Sequence, residues 1–144
     1  LFPSEEQKPV TLEKIARSEV TILIAEDNSS NYRLFESILK PEYKLIHAWN
    51  GKEAVELFHQ HKPQLILMDI KMPVMDGYQV LNTIRNMEKQ RGIEGDDRVK
   101  IIMMTALNEQ KNVRKAFEMG CTVYCAKPVD LDKLKNVLKK LKLI

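Results

Sequence analysis

The sequence predicts an α/β protein of the (βα)5 kind, with a parallel sheet covered by helices on both faces. Two observations carry that prediction. Short apolar runs alternate with segments of helical period from Val20 onward. The runs are nearly continuous rather than alternating, which suits strands buried on both sides. Strand–helix alternation of this kind implies right-handed crossovers in one sheet.

The five runs are VTILIA (20–25), KLIHAW (44–49), QLILM (64–68), KIIMM (100–104) and CTVYCA (121–126). Helices are predicted between them. In SSNYRLFESILK, Leu34, Phe35, Ile38 and Leu39 share a face, with Ser or Asn as cap and Pro41 beyond the end. GKEAVELFHQ follows Asn50. GYQVLNTIRNMEKQ sets Val80, Leu81, Ile84 and Met87 on one stripe, and NEQKNVRKAFEMG stops at Gly120. The last helix starts near Asp130 and repeats leucine at 131, 134, 138 and 141, with a lysine-rich opposite face. RGIEGDDRVK (91–100) reads as a polar loop. Residues 1–19 hold two prolines and mixed charge and read as a linker or tail, with a short turn near 12–16. The domain proper is expected at 20–144. Because the chain begins at Leu1, it reads as a piece of something longer.

Composition narrows the function. The 144 residues suit one domain, and 44% hydrophobic with 30% charged residues is ordinary for a globular protein. A net charge of +3 without a basic, aromatic-studded stripe gives no reason to expect nucleic acid. No apolar run reaches membrane-spanning length, and no membrane contact is expected. Cys121 and Cys125 are spaced unlike a redox pair or half a zinc site. If extended, that segment points both to one face, as two reduced core thiols. His47, His59 and His61 show no metal or catalytic context. The seven methionines read as core filler.

Ligands in an open parallel sheet bind outside the carboxyl ends of the strands. The residues just past the runs are Glu26 and Asp27 after the first, Asp69 after the third, Thr105 after the fourth and Lys127 after the fifth. The second run offers nothing ionisable, as expected of an edge strand. Three clustered carboxylates repel one another and call for a cation. All-oxygen ligation selects Mg²⁺ or Mn²⁺. With Lys127 the positive charge balances the three carboxylates. An aspartate, a hydroxyl and an ammonium converging beside such an ion form the equipment for accepting a phosphoryl group.

ILIAEDN, NGKEAVELF, ILMDIKMPVMDG, IIMMTA and AKPVD, in that order and spacing, resemble the receiver domains of response regulators in two-component signalling. The resemblance covers about residues 20–143. It implies a flavodoxin-like doubly wound sheet in the order 2-1-3-4-5, and a phosphorelay role. By position, Asp69 would be the phosphoacceptor. Glu26, Asp27, Asp69 and the backbone carbonyl of Lys71 would be the metal ligands. Thr105 would be the switch hydroxyl, Lys127 the phosphoryl-contacting cation and Tyr124 the switch aromatic. The Lys127–Pro128 bond is usually cis in relatives. Lys71 and Leu107 are candidates for setting the aspartyl-phosphate lifetime.

The implied partners are a histidine kinase dimerisation domain or a histidine phosphotransfer domain. A monomer or weak dimer in the cytoplasm is expected, which catalyses only its own phosphorylation and dephosphorylation. The long loop before the fourth strand resembles receivers fused behind histidine kinases. That favours the C-terminal receiver of a hybrid sensor kinase, its parent anchored in the inner membrane. A stand-alone regulator or a receiver cut from an effector protein is the alternative. An aspartyl-nucleophile phosphohydrolase fits less well, since its second aspartate would fall at Lys71. A nucleotide or flavin binder lacks a glycine-rich loop.

Overall fold

The computed structural model describes residues 20–40, 42–106, 113–127 and 130–140. The predicted tail, Pro41, Leu107, Pro128, Leu141 and Lys142 lie outside the described residues. Five strands form one parallel sheet: β1 (Thr21–Ala25), β2 (Lys44–Ala48), β3 (Leu65–Asp69), β4 (Lys100–Ala106) and β5 (Val123–Lys127). Their order is β2-β1-β3-β4-β5, as the resemblance implies. Between and after them lie α1 (Ser29–Leu39), α2 (Gly51–His61), α3 (Gly77–Gln90), α4 (Val113–Glu118) and α5 (Leu131–Lys140). The loop before β4 contains a 3₁₀ turn, Gly95–Asp97. No helix among the described residues is long and apolar enough to cross a membrane.

Period-two alternation splits the core into two layers. Leu23, Ile66, Met68, Ile101 and Met103 face α2, α3 and α4, meeting Ala54, Phe58, Val80, Leu81, Ile84 and Ala116. Ile22, Ile24, Leu65, Leu67, Ile102 and Met104 face α1 and α5, meeting Phe35, Leu39, Leu134 and Leu138. Every residue of β3 is buried, as expected for the central strand. Each such large apolar side chain contributes about 1.5–3 kcal/mol on burial.

The helix starts are fixed by side-chain caps. Asn28 Oδ1 accepts from the Asn31 N–H at 3.0 Å. Asn50 Oδ1 accepts from the Glu53 N–H at 2.8 Å, while Glu53 Oε1 accepts from the Trp49 N–H at 3.0 Å. Asp76 and Gln79 form a reciprocal capping box. Because helices follow parallel strands, all three starts lie at the rim where the strands end. Gly77 is needed there: a Cβ would sit 2.8 Å from Ile70 Cα and 2.9 Å from the Asp69 carbonyl oxygen.

Three expectations need correction. Asp69, Thr105 and Lys127 do not lie past their strands but belong to them, because the ladder pairs Asp69 with Met104, Thr105 with Ala126 and Ala106 with Lys127. Leu34 is not core; it is 48% exposed. Cys121 and Cys125 do not share a face. β5 starts only at Val123, so Cys121 packs in the α2–α4 layer and Cys125 against the α1–α5 layer. Both are free thiols, as expected. Of the α5 lysines, Lys133, Lys135, Lys139 and Lys140 are exposed.

At the opposite rim, Glu88 is buried on α3 and pairs with Arg85 Nη1 at 2.6 Å. Its other oxygen accepts from the Val99 N–H at 2.7 Å, and Arg85 Nε donates to the Gly120 carbonyl at 2.9 Å.

Candidate functional site

The parallel register brings the ends of β1, β3, β4 and β5 to one rim. There Glu26, Asp27, Asn28, Asn31, Asp69, Lys71, Thr105 and Lys127 line a cleft of about 280 Å³. Six of the seven predicted site residues meet in it. The seventh, Tyr124, lies on the same sheet face as Thr105 but one pleat deeper, its hydroxyl 3.4 Å from that of Tyr78. Burial and the neighbouring Tyr124 push the Tyr78 phenol well above its ordinary range.

Lys127 is the electrostatic centre. Its Nζ lies 3.1 Å from Glu26 Oε1 and 3.0 Å from Asp69 Oδ2. Asp69 Oδ1 accepts from the Lys71 N–H at 3.3 Å, and Glu26 Oε2 from the Asn28 N–H at 3.3 Å. Burial raises the Glu26 carboxyl above its usual value, and the charge of Asp69 adds to this; Lys127 and the Asn28 N–H oppose it. For Lys127, burial disfavours the ammonium, but the hydrogen bonds and charges of Asp69 and Glu26 outweigh it and hold the group above the ordinary lysine value.

Ligand oxygens of Glu26, Asp27 and Asp69 all lie within 4.8 Å of one another. Glu26 and Asp69 are buried and Asp27 is exposed, so the group is open to solvent on one side. The two lysines of the cleft, Lys71 and Lys127, cannot fully neutralise its three carboxylates. An all-oxygen, partly hydrated, over-acidic site fits a hard divalent cation.

Asn31 is a cleft residue that the strand-end pattern does not pick out. A signal for it exists all the same: it is four residues past Asp27, in the first turn of a helix that opens on the cleft. His47, a histidine without context in the sequence, has its Nε2 2.8 Å from the Glu26 carbonyl oxygen.

The family model for the response regulator receiver domain matches residues 22–139. The chain is 30% identical to sporulation initiation phosphotransferase F of Bacillus subtilis, over 83% of this chain and 90% of that protein. It is 36% identical to the osmolarity two-component system protein SSK1 of Saccharomyces cerevisiae, over 78% of this chain but only 19% of that longer protein. Among solved structures, the yeast Ssk1 receiver, crystallised with the histidine phosphotransfer protein Ypd1, superposes with a TM-score of 0.78. It is 33% identical, over 87% of this chain and 90% of that one. The receiver of sensor histidine kinase PA1611 from Pseudomonas aeruginosa, solved with magnesium in its active-site cleft, gives 0.73 and 31% identity, over 86% and 98% of the two chains. With the five-stranded order, the acidic rim and these likenesses together, the chain belongs to the response regulator receiver domains of two-component signalling.

Proposed function

We propose that this receiver takes a phosphoryl group from a phosphohistidine onto Asp69 and thereby switches a partner-binding surface. One observation carries the reading: Lys127 joins Glu26 and Asp69 across a cleft that also gathers Asp27 and Thr105 from separate elements. In the transfer, an Asp69 carboxylate oxygen forms the new O–P bond as the donor's N–P bond breaks. The histidine leaves as the neutral imidazole after taking up a proton. Lys127 is placed to meet a phosphoryl oxygen once Asp69 Oδ2 is engaged. The Lys71 N–H orients the other Asp69 oxygen. Thr105, buried at the rim on the neighbouring strand, is the hydroxyl that pairs with the new anion, and Tyr124 fills the space behind it.

Mg²⁺ or Mn²⁺ would be held by Glu26, Asp27, Asp69 and the Lys71 carbonyl. Bound there it would neutralise charge on the transferring phosphoryl oxygens. The phosphate donor and acceptor are histidine phosphotransfer or kinase dimerisation domains in the cytoplasm, a reading supported by the Ypd1-bound neighbour. Residues 20–144 are the receiver and 1–19 its linker. The chain is the C-terminal receiver of a hybrid sensor kinase, a reading supported by likeness to the receiver of the sensor kinase PA1611. A receiver within a longer SSK1-like regulator is the second reading, favoured by the 36% identity to that protein.

The test is acetyl phosphate with Mg²⁺, read by intact mass and Trp49 fluorescence. Phosphate gain that requires Mg²⁺ and is lost in Asp69→Asn is expected. No gain in the wild-type chain with Mg²⁺ bound would leave a receiver that only binds partners.

A further inference from the structure

We propose that His47 is a positioning residue for the acidic site, holding the Glu26 peptide so that the carboxylates of Glu26 and Asp27 stand ready for the divalent cation. The β1–β2 ladder is in register through Ala25 and Ala48, and the Glu26 N–H still donates to the Ala48 carbonyl at 3.0 Å. There β2 ends. The chain turns into α2, with the Trp49 N–H donating to Glu53 Oε1. The Glu26 carbonyl is met by the His47 ring, Nε2 to oxygen 2.8 Å. A carbonyl only accepts, so Nε2 carries a hydrogen.

The ring is not free to swing. It stacks on Tyr32 with centroids 3.8 Å apart and planes 1° from parallel, and it lies 4.1 Å from Trp49 at 39°. Tyr32 stands in the first turn of α1, directly after Asn28 and Asn31 of the cleft. The edge strand thus grips both polar groups of one residue, the N–H through backbone and the C=O through a side chain that stacks on one aromatic ring and touches a second. Fixing that peptide fixes the Cα–Cβ direction of Glu26 and the path into Asp27. Outer partners that orient a ligand typically change metal affinity by tenfold or more when lost.

The inference rests on the metal-site reading proposed for Glu26, Asp27 and Asp69, and the test separates the two. Mg²⁺ is titrated into the whole chain by calorimetry and by the fluorescence of Trp49, the chain's single tryptophan. His47→Phe keeps a flat ring but no donor, and is expected to weaken binding about tenfold. His47→Gln places an amide N–H where Nε2 was, and is expected to restore binding to within about twofold. Wild-type binding with an unchanged His47→Phe midpoint overturns the His47 role alone, as does His47→Gln binding as weakly as His47→Phe. No Mg²⁺ binding by the wild-type chain overturns both readings. The nitrogen-15 spectrum of wild-type His47 in neutral form gives a check that needs no variant: a proton on Nε2 is expected, and one on Nδ1 instead refutes the contact.

Discussion

Replacing Lys127 with methionine should leave the fold weakest where wild-type stability is ordinary, and the deficit should shrink with acid or with Mg²⁺. Lys127 Nζ makes contacts of 3.1 and 3.0 Å to Glu26 and Asp69. Each is worth about 5 kcal/mol in gross Coulomb terms at an effective dielectric of about 20. Most of that is offset by desolvation. Breaking a buried pair costs about 3–5 kcal/mol net, and since the lysine is 25% exposed the loss here is set lower, at about 2–3 kcal/mol.

The pH dependence comes from Glu26. Its folded-state value is raised above 4.5, and removal of Lys127 takes away two of the influences that lower it. A carboxyl with a raised folded value binds more protons in the folded state than in the unfolded one. Stability then rises as pH falls through the folded value toward the unfolded one. The deficit of Lys127→Met is therefore larger at an alkaline than at an acid pH value. Urea unfolding followed by Trp49 fluorescence at both pH values, with and without Mg²⁺, reads it. A deficit equal at both values and insensitive to Mg²⁺ would refute the electrostatic reasoning.

Other changes test other links. Gly77→Ala forces a Cβ to within 3 Å of the Ile70 and Asp69 backbone; it should cost about 2 kcal/mol and slow acetyl-phosphate labelling, measured by thermal melting and intact mass. Val74 holds φ at 70° and is 77% exposed, so Val74→Asn should raise stability by about 1 kcal/mol in urea unfolding. Arg85→Met strands the buried Glu88 carboxylate and should cost about 3 kcal/mol, whereas Arg85→Met with Glu88→Met should cost less than the single change, a comparison made by double-mutant cycle.

The site was legible because its parts sit at strand ends, and strand ends show in the sequence as the points where apolar runs stop. Glu26, Asp27, Asp69, Thr105 and Lys127 were all found that way. Strand limits were off by a residue or two because pairing, not hydrophobicity, sets them: Thr105 extends β4 only because Ala126 lies beside it. Leu34 fits the helical stripe, but the period does not reveal that its side chain is half exposed. The two cysteines went wrong because nothing in the local sequence marks Val123 as the start of β5. His47 was invisible for another reason. Its partner is a main-chain carbonyl 21 residues away, and a backbone acceptor has no sequence signature.

The way α3 is pinned makes it a strut rather than a loose cover. One end abuts the tip of β3, where Gly77 leaves no slack against Asp69 and its N–H is bonded to the Ile70 carbonyl at 2.9 Å. Eight to eleven residues further on, about 12–17 Å along the axis, the helix is bolted through Arg85 and Glu88 to the approaches of β4 and β5. A cleft of about 420 Å³ opens beside that second bolt. A rod fastened at both ends does not slide or roll by itself. Whatever displaces the tip of β3 must therefore carry α3 with it, and the far edge of the sheet feels the load at the opposite rim.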